Sequence, residues 1–192
     1  MNRSEPSSPL WQRLLQLDHR VRAFFILAFF EALSFGIFSP RIGFYHDDWS
    51  LLESWFQSAG IGAFIKTFFW LGFGVRPLNV LQFSLLFAAG GLNPFVYKLS
   101  MVGLDLLQGY LFFIFIQRLT DRRDLALTAG ALALIFPSHA ATHHWFSISG
   151  QTLSIDLVLA SMIFFMNWLD TSKPSWLFAA LAFYALGLCS YE

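Results

Sequence analysis

Five stretches of this chain, 22–39, 95–117, 125–141, 152–169 and 175–190, are almost wholly apolar over the length a membrane-crossing helix requires. A hydrocarbon core of about 30 Å takes roughly 20 mostly apolar residues in helical form. Helix is the state such segments must adopt, because backbone that faces lipid has to satisfy its own hydrogen bonds. No run of alternating ten-residue strands points to a barrel, and the third stretch is the least regular, its apolar run ending near Pro137. Charged residues make up 12% of the chain, against about 25% in soluble domains, too few to keep a whole surface in water. The expected fold is therefore all-α: a polytopic transmembrane helix bundle of about five spans with external juxtamembrane helices. A net charge of zero and the absence of a Lys/Arg run argue against a nucleic-acid partner. Cys189 is the one cysteine, so no intrachain disulfide forms.

Basic residues set the expected orientation. Arg13, Arg20 and Arg22 precede the first span, Arg118, Arg122 and Arg123 follow the second, and Lys173 precedes the fifth. All fall on one side if residues 1–21 form a cytoplasmic N-terminal segment. The first span reads as a retained anchor rather than a cleaved signal: its polar leader is long, Glu31 interrupts it, and no small-x-small site follows. The segment 77–92 is short and punctuated by glycine, which places it along the outer surface or partly re-entrant. Segments 49–58 and 61–73, rich in Trp and Phe, read as interfacial helices. On this topology 40–94, 138–151 and Glu192 converge on the external face.

Those segments hold most of the polar residues capable of chemistry. Tyr45-His46-Asp47-Asp48-Trp49 sets two carboxylates beside a histidine in an aromatic neighbourhood. Adjacent like charges push at least one pKa upward. The pair suits a general base or a metal site, with Asp48 and His46 as ligands, or equally the cap of a helix beginning near Trp49. In Pro137-Ser138-His139 and the following residues, His139 and His143 share a face if helical, a workable spacing for a metal or for phosphate and sugar oxygens. The alternative is a polar loop at the membrane interface. Arg76, before Pro77, is either an interfacial anchor or a clamp for an anion. Glu31, Asp105, Gln108 and Asp156 lie within spans, where a carboxylate at mid-membrane costs about 2.5–3.5 kcal/mol, and should face the bundle interior. Phosphate loops, nucleophile elbows and His-Glu-x-x-His are absent.

The order of these pieces resembles the GT-C superfamily of integral-membrane glycosyltransferases, including protein O-mannosyltransferase and lipid A aminoarabinose transferase relatives. The family's acidic pair in the first external loop is similar to Asp47-Asp48. Its later motifs are similar to Arg76-Pro77-Leu78, Gly91-Leu92-Asn93-Pro94, Tyr97, Pro137-Ser138-His139, Trp145 through Gly150, and Tyr191-Glu192. The resemblance covers 20–192. It implies transfer of a sugar from a polyprenyl-phosphate donor to a lipid, glycan or protein acceptor, on the outer face of a bacterial inner membrane. Asp47 would be the base, and Asp48 would hold a divalent metal (Mg or Mn) or orient the sugar. Arg76 and His139 or His143 would steady the leaving phosphate, with Glu192 as a further substrate contact. Many relatives carry His and Asn where this chain has Asp105 and Gln108, and they run to more spans, so 22–192 is expected to be the N-terminal part of a larger transmembrane domain. Two other functions suit the same polar mouth: a non-catalytic lipid-binding or transport-type module, and a membrane metalloprotein built on His46, Asp47, Asp48 and His139 or His143.

Overall fold

A computed structural model describes residues 18–37, 41–57, 76–136 and 145–191, together with 60, 62 and 66. Among them the secondary structure is entirely helical. The helices are α1 (His19–Glu31), continued by a π turn (Ala32–Gly36), α2 (His46–Phe56), α3 (Pro77–Gly90), α4 (Pro94–Thr120), α5 (Arg123–Ile135), a 3-10 turn (Phe146–Ile148), α6 (Ser149–Thr171) and α7 (Pro174–Ser190).

Local chemistry sets their ends. The side chain of Asp18 accepts from the Arg20 N–H at 2.8 Å and caps α1. Asn93 does the same for α4 through the Phe95 N–H, and Pro94 follows at the first helical position, where a missing N–H costs nothing. Gly91 closes α3 at φ 54°, in the left-handed region that glycine enters most easily. Asp121 and Ser172 end α4 and α6 in the same region.

Side-chain pairings give the directions of the helices. His19, at the start of α1, lies against Gln117, near the end of α4, with 3.2 Å between side-chain nitrogens. Arg118 of α4 reaches the Ile163 carbonyl, Asn167 and Asp170, so α4 and α6 finish at the same end. Three serine hydroxyls join α6 and α7 antiparallel: Ser154 donates to the Gly187 carbonyl at 2.9 Å, Ser161 to Ala180 at 2.8 Å, and Ser190 to Gly150 at 3.0 Å. Hydrogen bonds of this kind between helices in lipid are worth about 0.6 kcal/mol each. Thus α1, α5 and α7 run one way and α4 and α6 the other. α3 does not join them lengthwise. Its first turns meet the start of α6 through Gln82 and Ser149, and its terminal Gly91 carbonyl accepts from Tyr97 in the first turns of α4. The segment expected to lie along the outer surface or partly re-entrant thus bridges the starts of α6 and α4.

The distribution of polarity is inverted relative to a soluble protein. Glu31, Asp105, Asp156 and Ser161 are buried, whereas Phe29 (62%), Leu169 (60%) and Phe178 (71%) are exposed. Apolar surface this extensive suits lipid. Two helical stretches, Pro94–Thr120 and Phe146–Thr171, are long and apolar enough to cross a bilayer, and Pro77–Gly90 and Pro174–Ser190 are shorter apolar helices. α1 with its π turn runs 18 residues, 13 and 5, but carries Arg20, Arg22 and Glu31, while α5 and α7 are shorter, at 13 and 17 residues.

α1, α4 and α5 meet at a glycine crossing. A Cβ at Gly130 would lie 2.9 Å from the Gly109 carbonyl oxygen, and one at Gly109 would lie 2.7 Å from Leu134. Small residues let helix backbones approach this closely. Because the obstacle at position 130 is backbone, it cannot rotate away. Gly130→Val is expected to destabilise the bundle by about 1–3 kcal/mol, the usual range for overpacking. A thermal melt of the purified protein in detergent checks it, with the exposed Leu132→Ala as the control that should change little.

Candidate functional site

The bundle end that receives α2, α3 and the 3-10 turn holds the acidic pair. Asp47 and Asp48 occupy the first turn of α2, where carboxylates are favoured by the helix dipole. The two face different surroundings. Asp47 is exposed, while Asp48 has no accessible surface. Tyr45 donates its backbone N–H to Asp48 Oδ2 at 2.9 Å, the reach-back half of a capping box. Ser147 donates its N–H to Asp48 Oδ1 at 2.7 Å, across 99 residues of sequence. One buried carboxylate thus holds the start of α2 to the turn that opens α6.

Lys98 completes this arrangement. It is fully buried in α4, its ammonium 5.7 Å from the Tyr45 ring centroid, and its charge acts on Asp48. Around the pair, Phe44 packs on Tyr97 (5.1 Å between centroids), Tyr97 on Phe146 (4.7 Å) and Phe146 on Phe83 (4.7 Å). Burial pushes the Asp48 pKa above its ordinary value of 3.8, and the Tyr45 and Ser147 N–H groups and Lys98 pull it partly back. The main cause of that rise is burial, where the sequence suggested repulsion from the neighbouring carboxylate.

That shift has a definite sign in stability. Well above the raised pKa, Asp48 is ionised in both folded and unfolded chains, and its burial is a constant cost. As pH falls through the raised value toward 3.8, the folded form takes the proton first, and the cost diminishes. Stability from this group is therefore expected to rise on mild acidification, and Asp48→Asn should abolish that rise. Unfolding midpoints across the acidic range compare the two proteins.

The second half of the site gathers on the start of α6. Asn79 is 4% exposed and lies against Gly150, where a Cβ would stand 2.0 Å from Asn79 Nδ2, so this position requires glycine. Gln82 Nε2 donates to Ser149 Oγ at 3.2 Å, and Ser190 fixes the Gly150 carbonyl from α7. The Arg76 guanidinium carbon lies 4.0 Å from the centroid of the Tyr191 ring, a cation–π distance. Asn79 Oδ1, Gln82 Oε1, Trp145 Nε1 and Ser147 Oγ are buried hydrogen-bonding atoms with no partner among the described residues.

Of the residues singled out from sequence, Asp47, Asp48 and Arg76 lie on elements of this same end. His46 opens α2, but its side chain falls outside the described residues, as do His139, His143 and Glu192 altogether. Among the described residues, no group of three or more His, Cys, Asp or Glu is placed to hold a metal ion. Both Asp48 oxygens accept N–H bonds and the charge of Lys98 acts on it, so this carboxylate is satisfied by the protein's own groups. Sequence reasoning missed Lys98, Asn79 and Ser147. A lysine four residues past Pro94, inside an otherwise apolar run, was the available signal for the first, and Ser147 lay within the Trp145 through Gly150 motif without a role of its own; Asn79 carried none.

The comparisons with known proteins are limited in extent. No family model matches the chain and no solved structure does. Over 64 residues it is 41% identical to "Protein O-mannosyl-transferase Tmtc1" of Drosophila melanogaster, a stretch that amounts to 33% of this chain. The chain covers 8% of that relative's length, so the likeness is to one part of a sugar transferase.

Proposed function

We propose that this chain is part of a GT-C-type membrane glycosyltransferase that transfers a sugar from a polyprenyl-phosphate donor to an acceptor hydroxyl on the outer face of the membrane. In this proposal α1, α4, α5, α6 and α7 are the five spans, and α2, α3 and the 3-10 turn form the external mouth. The observation that carries it is the exposed Asp47, held on a turn that the buried Asp48 anchors, in a chain similar to an O-mannosyl-transferase.

Chemically, the Asp47 carboxylate takes the proton of the acceptor hydroxyl. The hydroxyl oxygen bonds to the anomeric carbon of the donor as the bond from that carbon to the phosphate oxygen breaks. The electron pair leaves on the polyprenyl phosphate, whose growing charge a guanidinium such as Arg76 is suited to stabilise. Buried donors and acceptors with no partner among the described residues, on Asn79, Gln82, Trp145 and Ser147, suit hydroxyl groups, which both donate and accept. His139, His143 and Glu192 remain candidates for donor contacts.

The test is transfer of labelled sugar from polyprenyl-phosphate donors in membranes carrying this chain, alone and within any longer polypeptide to which it belongs. Incorporation that requires Asp47 supports the proposal. Donor binding without transfer, across a panel of sugars and acceptors, replaces it with a lipid-binding module.

A further inference from the structure

The opposite end of the bundle carries a second site. A cavity of about 240 Å³ opens between α1, α4 and α5, with Arg22, Arg123 and His19 at its rim and Ile26, Phe113 and Leu127 along its wall. Neither Arg22 nor Arg123 has a carboxylate within ion-pair distance among the described residues. Of the nearby acids, Asp124 pairs with Arg122 at 3.0 Å, Asp170 with Arg118, and Asp18 accepts from the Arg20 N–H beside His19, while Asp121 makes no ion pair among the described residues. Two guanidiniums on neighbouring helices, left without counter-charge above an apolar wall, make a site with an anionic and a hydrophobic requirement together.

We infer that this cavity binds an anionic phospholipid, its phosphodiester between Arg22 and Arg123 and the upper part of an acyl chain along Ile26 and Leu127. A free anion satisfies only the rim. Ile26 is 39% exposed, so the wall continues onto the lipid-facing surface, as an acyl chain requires. Basic pockets between helices, at the membrane side rich in Lys and Arg, recognise lipid headgroups in this way. The site is independent of sugar transfer and uses none of the residues at the other end.

The test uses the purified full chain and two readouts: lipids retained in native mass spectrometry, and the thermal midpoint on addition of short-chain lipids. Phosphatidylglycerol is expected to be retained and to raise the midpoint, with phosphatidylcholine and inorganic phosphate doing neither. Removal of one arginine near a membrane surface weakens an anionic lipid about fivefold. Arg22→Gln and Arg123→Gln should each show that loss and their combination the product of the two, while Arg20→Gln, outside the cavity, stays near the unaltered protein. On the unaltered chain the preference for phosphatidylglycerol should weaken as ionic strength rises, which tests the charge requirement without any substitution. Equal binding of the two lipids, a preference indifferent to salt, or full retention in the double variant overturns the inference. A midpoint raised equally by inorganic phosphate also overturns it, in favour of a simple anion site.

Discussion

Asp47→Asn is expected to lower sugar transfer by about 10²–10⁴-fold, the usual contribution of a positioned general base, while the thermal midpoint stays close to that of the unaltered protein. The two halves of this prediction come from the same structural fact. Asp47 is exposed in the first turn of α2, so its side chain is not part of the buried framework, and asparagine keeps its size and its place on the helix. Asparagine cannot accept a full proton, so the loss should fall on turnover more than on donor binding. Transfer kinetics at varied donor concentration, beside a donor-binding measurement, separate the two. Undiminished turnover in Asp47→Asn would remove the base from this carboxylate and send the search to His46 or to the histidines of 139–144.

Asp48→Ala is expected to do the reverse, acting on the fold. It removes the acceptor of two N–H groups, Tyr45 and Ser147, and leaves the buried Lys98 without the carboxylate that offsets its charge. A buried hydrogen-bonding group left without its partner costs about 1–3 kcal/mol. Burial outweighs the attraction of Lys98 in setting the Asp48 pKa, so most of the loss comes from the two N–H groups left without their acceptor, and Lys98→Met added to Asp48→Ala should recover only a smaller part. A double-mutant cycle on the thermal midpoints reads the coupling, expected in the range of about 0.5–3 kcal/mol for groups sharing one network. Strict additivity would mean that Lys98 and Asp48 are buried near each other without depending on each other. Any fall in transfer by Asp48→Ala should track the folded fraction and the order of the Tyr45–Asp48 turn, whereas in Asp47→Asn activity disappears from a folded protein.

The pH dependence of stability separates the two carboxylates a third way. Asp48 is buried with a pKa pushed above its ordinary value, so its share of the stabilisation on mild acidification should be lost in Asp48→Asn and kept in Asp47→Asn.

Much of the helical architecture was legible in the sequence because lipid enforces it locally. A run such as Leu111 to Ile116 leaves the backbone no choice but helix, and Asn93-Pro94 and Lys173-Pro174 mark starts by chemistry that needs no distant partner. The length and Gly90-Gly91 end of α3 set it apart from the longer apolar stretches, and its position came only from contacts with the starts of α4 and α6. The site was legible only as a set of candidates. Asp47 and Asp48 are the same residue type side by side, and nothing in their order says which is exposed. That difference arises when α2 turns one of them toward the Ser147 N–H, 99 residues away, and α4 carries Lys98 to the same place. The closeness of Asn79 to Gly150 and the cation–π contact of Arg76 with Tyr191 are likewise made by helices far apart in the chain. Sequence alone determined that this protein is built of apolar helices, because solvent acts on each segment separately. Tertiary structure decided which carboxylate stands exposed at the surface and which is held in the core, because burial belongs to the packed assembly and to no single segment.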